Sequence, residues 1–192
     1  MLLTPKIEKA IRRASQLHDG QKRKVEHNLP YISHLFSVAT ILSTHAEDED
    51  LLIAGLLHDS LEDTPYTPEE LEFEFGATVR KTVEQVTETP FSLKDKILWK
   101  DKKLAYLEKL KQADARALMV AAADKIHNLQ TTIDDYKKRG ADPLKGFWKD
   151  IKERMWLYEQ SLAILEDRLE SPIVPAYRKV FDEAISLFSR LL

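Results

Sequence analysis

Leu51-Leu52-Ile53-Ala54-Gly55-Leu56-Leu57-His58-Asp59-Ser60-Leu61-Glu62-Asp63-Thr64 is the stretch that decides how the chain is read. An apolar run is followed directly by a histidine, two aspartates and a glutamate. At about 100° per residue the stretch reads as one helix. His58 and Glu62 then lie one turn apart on one face, and Asp59 and Asp63 form a second such pair about 100° round. All four fall within a wedge of roughly 140°. The leucines make the rest of the surface apolar, so the helix belongs in a core. Ionisable groups along one edge of a core helix are costly unless something compensates them. A divalent cation does so, because it neutralises carboxylate charge and accepts an imidazole ligand. A solvated helix end with an acidic cluster before Thr64-Pro65 satisfies the same spacing. On this stretch alone both readings stand.

Upstream, Tyr31 to His45 predicts a helix with His34, Val38, Ile41, Leu42 and His45 on one side. Before it, Thr4-Pro5 supplies an N-cap and an N1 proline. Ile7, Ala10, Ile11, Ala14 and Leu17 then trace an apolar stripe that ends near Gly20. Glu47-Asp48-Glu49-Asp50 suits the dipole at the start of the third helix. Downstream, Thr67-Pro68-Glu69-Glu70 is a capping box for a short helix that Gly76 breaks after Phe75. A helix with Val79, Val83 and Val86 inward follows. The next, capped by Ser92 and running to about Lys111, carries Leu93, Ile97, Leu104, Leu107 and Leu110.

Ala113 to Lys138 predicts a long helix whose middle, Ala117 to Ala123, is apolar all round and therefore buried. Asp124 follows at once, and Asn128 and Thr131 line up with it at successive turns. A carboxylate at the end of a buried run needs a partner. A salt bridge to Lys125 meets that need, and so does a cation. Asp142-Pro143 caps a further helix with Phe147, Ile151, Met155, Leu157 and Tyr158 inward. Ser171-Pro172 and Pro175 mark a turn before a last helix, where Val180, Ala184, Ile185, Phe188 and Leu191 make an amphipathic pattern.

At 192 residues the chain fits one domain with a sizeable core. Five glycines and few β-branched alternations argue for an all-α fold. A net charge of −3 proposes neither a nucleic-acid polymer nor an anionic membrane as partner. The absence of cysteine excludes disulfides, thiolate metal sites and cysteine nucleophiles, and fits a reducing compartment. The N-terminus lacks a signal-peptide apolar core. The longest weakly charged run, Tyr31 to Ala46, is interrupted by His34, Ser37, Ser43 and His45, so it is no membrane span. A cytoplasmic enzyme or binding domain is expected. Whether it forms a homo-oligomer is left open.

The order His34, His58-Asp59, Asp124 resembles the H…HD…D pattern of the HD superfamily of metal-dependent phosphohydrolases. Longer segments narrow the likeness. His18-Asp19-Gly20-Gln21-Lys22-Arg23-Lys24, Pro30-Tyr31-Ile32-Ser33-His34, His58 to Thr64, Phe73-Glu74-Phe75-Gly76 and Ala123-Asp124-Lys125-Ile126-His127-Asn128-Leu129 are similar to the hydrolase domain of the RelA/SpoT group. The resemblance implies an HD-domain helical bundle over residues 1–192, with a family-like core over about 6–136 and C-terminal helices over 142–192. It also implies a standalone small alarmone hydrolase that removes the 3′-pyrophosphate of (p)ppGpp-type nucleotides. His34, His58, Asp59 and Asp124 would bind the metal. Two imidazoles and two carboxylates suit Mn²⁺, Fe²⁺ or Zn²⁺, and the resemblance implies Mn²⁺. Glu62 and Asp63 would be the catalytic pair. Arg23, Lys24, Asn128 and Thr131 would meet the nucleotide. Gln130-Thr131-Thr132 stands where many relatives carry an arginine, which leaves the base preference open. Two alternatives remain. One is an HD phosphohydrolase for another nucleotide, such as an adenine alarmone, NADPH or a nucleoside monophosphate. The other is a non-catalytic nucleotide-sensing HD domain.

Overall fold

The computed structural model describes residues 3–23, 29–88, 99–140 and 150–192. Among these residues β-type pairing is limited to one antiparallel bridge, Lys22 to Pro30. The predicted starts of the Ser92 and Asp142-Pro143 helices, with Leu93, Ile97 and Phe147, lie outside the described residues.

Local chemistry sets most helix ends. In α1 (Pro5–Leu17) the Thr4 hydroxyl accepts from the Ile7 N–H at 3.1 Å, and the helix is released at Gly20, where φ is +72°. α2 (Ile32–Ser43) follows the Lys22–Pro30 bridge. α3 (Glu49–Leu57) is capped by Asp48, whose Oδ1 accepts from the Leu51 N–H at 3.1 Å. The other Asp48 oxygen accepts from Arg116 Nε at 2.7 Å. α4 (Ser60–Asp63) is a single turn. α5 (Pro68–Phe75) carries the complete Thr67–Glu70 capping box and ends at Gly76, φ +95°. α6 (Ala77–Val86) and α7 (Trp99–Gln112) lead into α8 (Ala115–Arg139), whose cap, Asp114, accepts from the Ala117 N–H at 3.2 Å. α9 (Ile151–Arg168) and α10 (Ile173–Phe188) complete the order.

Every residue of α3 from Leu51 to Leu57 is buried, as are Ala117, Leu118 and Val120 to Ala123 of α8. α3 packs on α1, α2, α6 and α8, while α8 also meets α2, α6, α9 and α10. The Tyr177 hydroxyl of α10 donates to the Tyr158 carbonyl of α9 at 2.9 Å. The two apolar helices therefore form the centre that the others cover, and the charged groups that follow their apolar runs are drawn inward with them.

Four sequence expectations need correction. The stretch from Leu51 to Asp63 is not one helix: it breaks at His58-Asp59. The His58 ring takes the Gly55 carbonyl at 2.8 Å, and the Ser60 hydroxyl takes that of Leu57 at 2.6 Å. Side chains thus satisfy carbonyls at the end of α3 that a continuing helix would have used. Pro175 lies inside α10, at its third position, where a missing N–H has no helical partner to lose. Ile185 is 38% exposed because the buried stripe runs through Ile173, Tyr177, Phe181, Ala184 and Phe188. Leu104 is 43% exposed because α7 turns Tyr106, Leu107 and Leu110 inward.

Gly55 allows the close approach of α3 to α2. A Cβ there would come 2.5 Å from Leu42 Cδ1 and 3.7 Å from Ala39 Cα. Leu42 is fully buried, so its methyl has little room to retreat. Overpacking of this kind costs about 1–3 kcal/mol. The better helix propensity of alanine returns up to about 1 kcal/mol. Gly55→Ala is therefore expected to lower unfolding free energy by about 1 kcal/mol in urea titration, and Gly55→Val by more. An unchanged midpoint for both would show that α2 and α3 can separate freely here.

Candidate metal centre and active site

Four side chains from three helices and one turn meet at one point. α2 presents His34, the end of α3 presents His58, the turn after it presents Asp59, and the middle of α8 presents Asp124. His34 Nε2 lies 3.2 Å from Asp124 Oδ1 and 3.7 Å from Asp59 Oδ2. His58 Nε2 lies 3.1 Å from Asp59 Oδ2 and 3.9 Å from Asp124 Oδ1. His34, His58 and Asp59 each bring one ligand atom within 4.8 Å of the others. Both histidines are buried.

The donor atoms fit a divalent cation. The Gly55 carbonyl can only accept, so His58 Nδ1 is its donor and Nε2 is the atom turned to the carboxylates. That Nε2 is buried and has no hydrogen-bond partner. Without a proton its lone pair would face carboxylate oxygens, which a positive charge between them would relieve. In the chain alone a proton supplies that charge. Burial opposes imidazolium, but Asp59 and Asp124 outweigh it and push His58 up to about 9. Burial likewise opposes ionised Asp59 and Asp124. Yet His58 holds Asp59 well below the usual carboxylate range, and Lys125 with His34 does the same for Asp124. The cluster is thus two ionised carboxylates and two imidazoles around one point, a donor set suited to a transition-metal dication.

A second layer orients these groups. The Tyr31 hydroxyl donates to Asp59 Oδ2 at 2.6 Å. His127 Nδ1 meets His34 Nδ1 at 2.7 Å. Burial, then His34 and Arg23, lower His127 to about 4, so it stays neutral. Metal-ligating histidines commonly use the second ring nitrogen in this way. Lys125 Nζ donates to Asp124 Oδ2 at 2.7 Å, and Asn128 Nδ2 donates to Asp124 Oδ1. The Lys125 salt bridge therefore takes one side of the carboxylate and leaves Oδ1 turned to His34 and His58. Sequence alone assigns no ligand-orienting role to Tyr31, Lys125 or His127. Tyr31 precedes His34 by three positions and His127 follows Asp124 by three, the one-turn spacing that singled out Asn128.

The predicted substrate residues separate. Arg23 is buried, donates to Asn128 Oδ1 at 3.0 Å and lies 5.8 Å from the Tyr31 ring centre. Its Nε has no partner. Both polar atoms of Asn128 are thereby engaged within the protein. Thr131 is buried one turn further along α8, and among the described residues no hydrogen bond ties it to the cluster. Lys24 lies outside the described residues.

Glu62 and Asp63 follow Asp59 on α4 and are exposed to solvent as residues. The backbone N–H of Glu88 donates to Glu62 Oε2 at 3.2 Å. The Glu62 carboxyl is raised to about 7, first by its loss of water within the fold and then by the Glu88 carboxylate. It therefore sits where a group can both take and give a proton near neutrality. A surface cavity of about 390 Å³ beside α1, bounded by Lys9, Arg13 and Glu74, shares no lining residue with this cluster. Among the described residues no helix is long and apolar enough to cross a membrane.

Comparison with known proteins bears on the family and the fold. Residues 10–144 match the HD domain family. Human guanosine-3′,5′-bis(diphosphate) 3′-pyrophosphohydrolase MESH1 is 40% identical over 120 residues, 61% of this chain and 64% of that protein. The bifunctional (p)ppGpp synthase/hydrolase SpoT of Escherichia coli K12 is 36% identical over 176 residues, 87% of this chain and 24% of that protein. The chain thus spans less than two thirds of either relative. A solved structure described as a metazoan ortholog of SpoT that hydrolyses ppGpp superposes with a TM-score of 0.77 at 26% identity, covering 100% of this chain and 99% of that one.

Proposed function

The chain belongs to the HD domain family, and from that premise we propose that it is a metal-dependent pyrophosphohydrolase that removes the 3′-pyrophosphate of (p)ppGpp-type nucleotides. The observation that carries the reading is the convergence of His34, His58, Asp59 and Asp124, with His58 Nε2 buried and unpartnered. These four residues would hold the cation, for which Mn²⁺ is our choice. Such an ion supplies a Lewis acid that makes water acidic enough to attack near neutral pH and screens phosphate charge.

The chain's own residues would do the rest. Tyr31 and His127 fix the ligand atoms of Asp59 and His34. Hydrolysis joins a water oxygen to the phosphorus carried on the 3′ oxygen and breaks the bond from that phosphorus to the 3′ oxygen, so one proton leaves the water and one reaches the departing 3′ oxygen. Glu62 and Asp63 are the groups we assign to these transfers. Arg23 is the group we assign to the nucleotide, with Lys24 and Asn128 beside it in sequence or in contact; Thr131 is the weakest of the four. We take residues 1–192 as one unit, the HD core with α9 and α10 packed on it. A small nucleotide as substrate and a chain free of cysteine both suit the reducing cytoplasm.

The test is incubation of the Mn²⁺-loaded protein with ppGpp, pppGpp, their adenine counterparts and NADPH, with every product identified. Pyrophosphate and GDP from ppGpp are expected. Orthophosphate instead would assign a different HD phosphohydrolase, and tight nucleotide binding without turnover would assign a sensor.

Arg23 gives a sharper check on recognition. Its guanidinium is held by Asn128 and backed by the Tyr31 ring, and Nε is left without a partner. A hydrogen bond to a charged group is worth about 1.5–3 kcal/mol. Arg23→Ala should therefore lower kcat/KM for ppGpp by roughly 10- to 100-fold. Arg23→Lys should recover only part, because an ammonium lacks the planar fork. Asn128→Ala should reduce discrimination between guanine and adenine nucleotides and also weaken metal binding, since Asn128 holds Asp124 as well. Parental kinetics on both nucleotides in all three variants would remove the basis for an alarmone substrate.

A further inference from the structure

Glu62 is held from outside its own turn. Among the described residues the one backbone group on its carboxylate, the Glu88 N–H at 3.2 Å, belongs to the segment just past the end of α6. Two lysines of α7 grip that segment. Lys103 Nζ bonds the Glu88 carboxylate, and Lys109 Nζ donates to the Thr87 carbonyl at 2.8 Å. The Lys103 and Glu88 side chains are only 18% and 20% exposed, so the pair is partly withdrawn from water. A charge beside a neighbour in that setting is felt more strongly than on an open surface.

We propose that Glu88 and Lys103 are positioning residues for Glu62: the pair fixes the Thr87-Glu88 segment whose N–H aligns the Glu62 carboxylate. The inference rests on the assignment of Glu62 to proton transfer. Without the pair the segment is held from α7 through Lys109 alone, and the Glu62 carboxylate loses its fixed placement while the residues that would hold the cation are untouched.

The experiment uses Lys103→Met, which keeps the stem, Lys103→Arg, which keeps the charge and a donor, and Glu62→Gln alone and combined with Lys103→Met. kcat and KM for ppGpp are measured on the Mn²⁺-loaded full chain, with Mn²⁺ content and Tm read on the same preparations. Lys103→Met should lower kcat by roughly 10-fold with KM and Mn²⁺ content kept, Lys103→Arg should restore most of it, and in the Glu62→Gln background Lys103→Met should lower kcat no further. An equal loss in both backgrounds, or parental kcat in Lys103→Met, would overturn the inference while leaving Glu62 as the proton-transfer group. Parental turnover in Glu62→Gln would instead overturn that assignment, and with it the catalytic meaning of the pair. Should Lys103→Met fail to fold, Glu88→Gln, which keeps the backbone N–H and removes the ion pair, decides by the same comparison.

Discussion

His58→Ala is expected to strip the protein of bound Mn²⁺ and of measurable turnover while leaving its helices in place. His58 Nε2 lies 3.1 Å from the Asp59 carboxylate and 3.9 Å from that of Asp124, and it is buried with no hydrogen-bond partner. Alanine removes a donor that nothing else among the described residues replaces. Loss of an outer-layer partner typically lowers metal affinity or activity about 10- to 100-fold, so loss of a donor should exceed about 100-fold. The local damage is confined. The Gly55 carbonyl loses its ring partner, but α3 is held along its length by α1, α2, α6 and α8. Asp59→Ala should behave likewise, with the Tyr31 hydroxyl also left unpaired. His45→Ala is the control, since His45 lies in the turn past the end of α2 and outside the cluster. Elemental analysis after dialysis against Mn²⁺, read beside far-ultraviolet circular dichroism, makes the comparison. Mn²⁺ content equal to that of the parent in His58→Ala and Asp59→Ala would refute the assignment of this centre.

Where function depends on local pattern, the sequence was readable. Thr4-Pro5, Thr67 with Glu70, and Gly76 act through bonds within a few residues, and the helix ends follow them. The apolar runs before His58 and before Asp124 placed both residues at the edge of a core, and the structure brings them together with His34 and Asp59. What escaped depends on contacts distant in sequence or on competition between local bonds. The apolar spacing runs unbroken through Leu57 and Leu61, so nothing in periodicity marks the break at His58-Asp59. It follows from the imidazole and the Ser60 hydroxyl capturing carbonyls. The partnership of Arg23 with Asn128 spans 105 positions, and that of His34 with His127 spans 93. Neither distance can be read without the fold. Pro175 reads as part of the turn before the last helix because proline breaks a helix interior, but at the third position it breaks nothing.

Glu62→Gln and Asp63→Asn should separate chemistry from binding. Neither side chain belongs to the cluster that would hold the cation, and both backbone N–H groups bond the Asp59 carbonyl, at 3.2 and 2.9 Å, whatever the side chain. The turn that presents Asp59 should therefore survive both changes, and with it the Mn²⁺ content. A glutamine at 62 still offers an oxygen to the Glu88 N–H, so its placement is kept while its ability to exchange a proton is lost. General acid–base groups contribute about 10²- to 10⁴-fold, and kcat should fall by at least roughly 10²-fold in each variant with little change in nucleotide affinity. The pH profile adds an independent sign. With Glu62 raised to about 7, the parent's kcat should change across neutrality, and the Glu62→Gln profile should be flat there. Steady-state kinetics across pH, with metal content measured on the same preparations, settles the roles. A rise in KM alone at either position, with kcat untouched, would make that residue a substrate contact. The proton would then have to move through its neighbour.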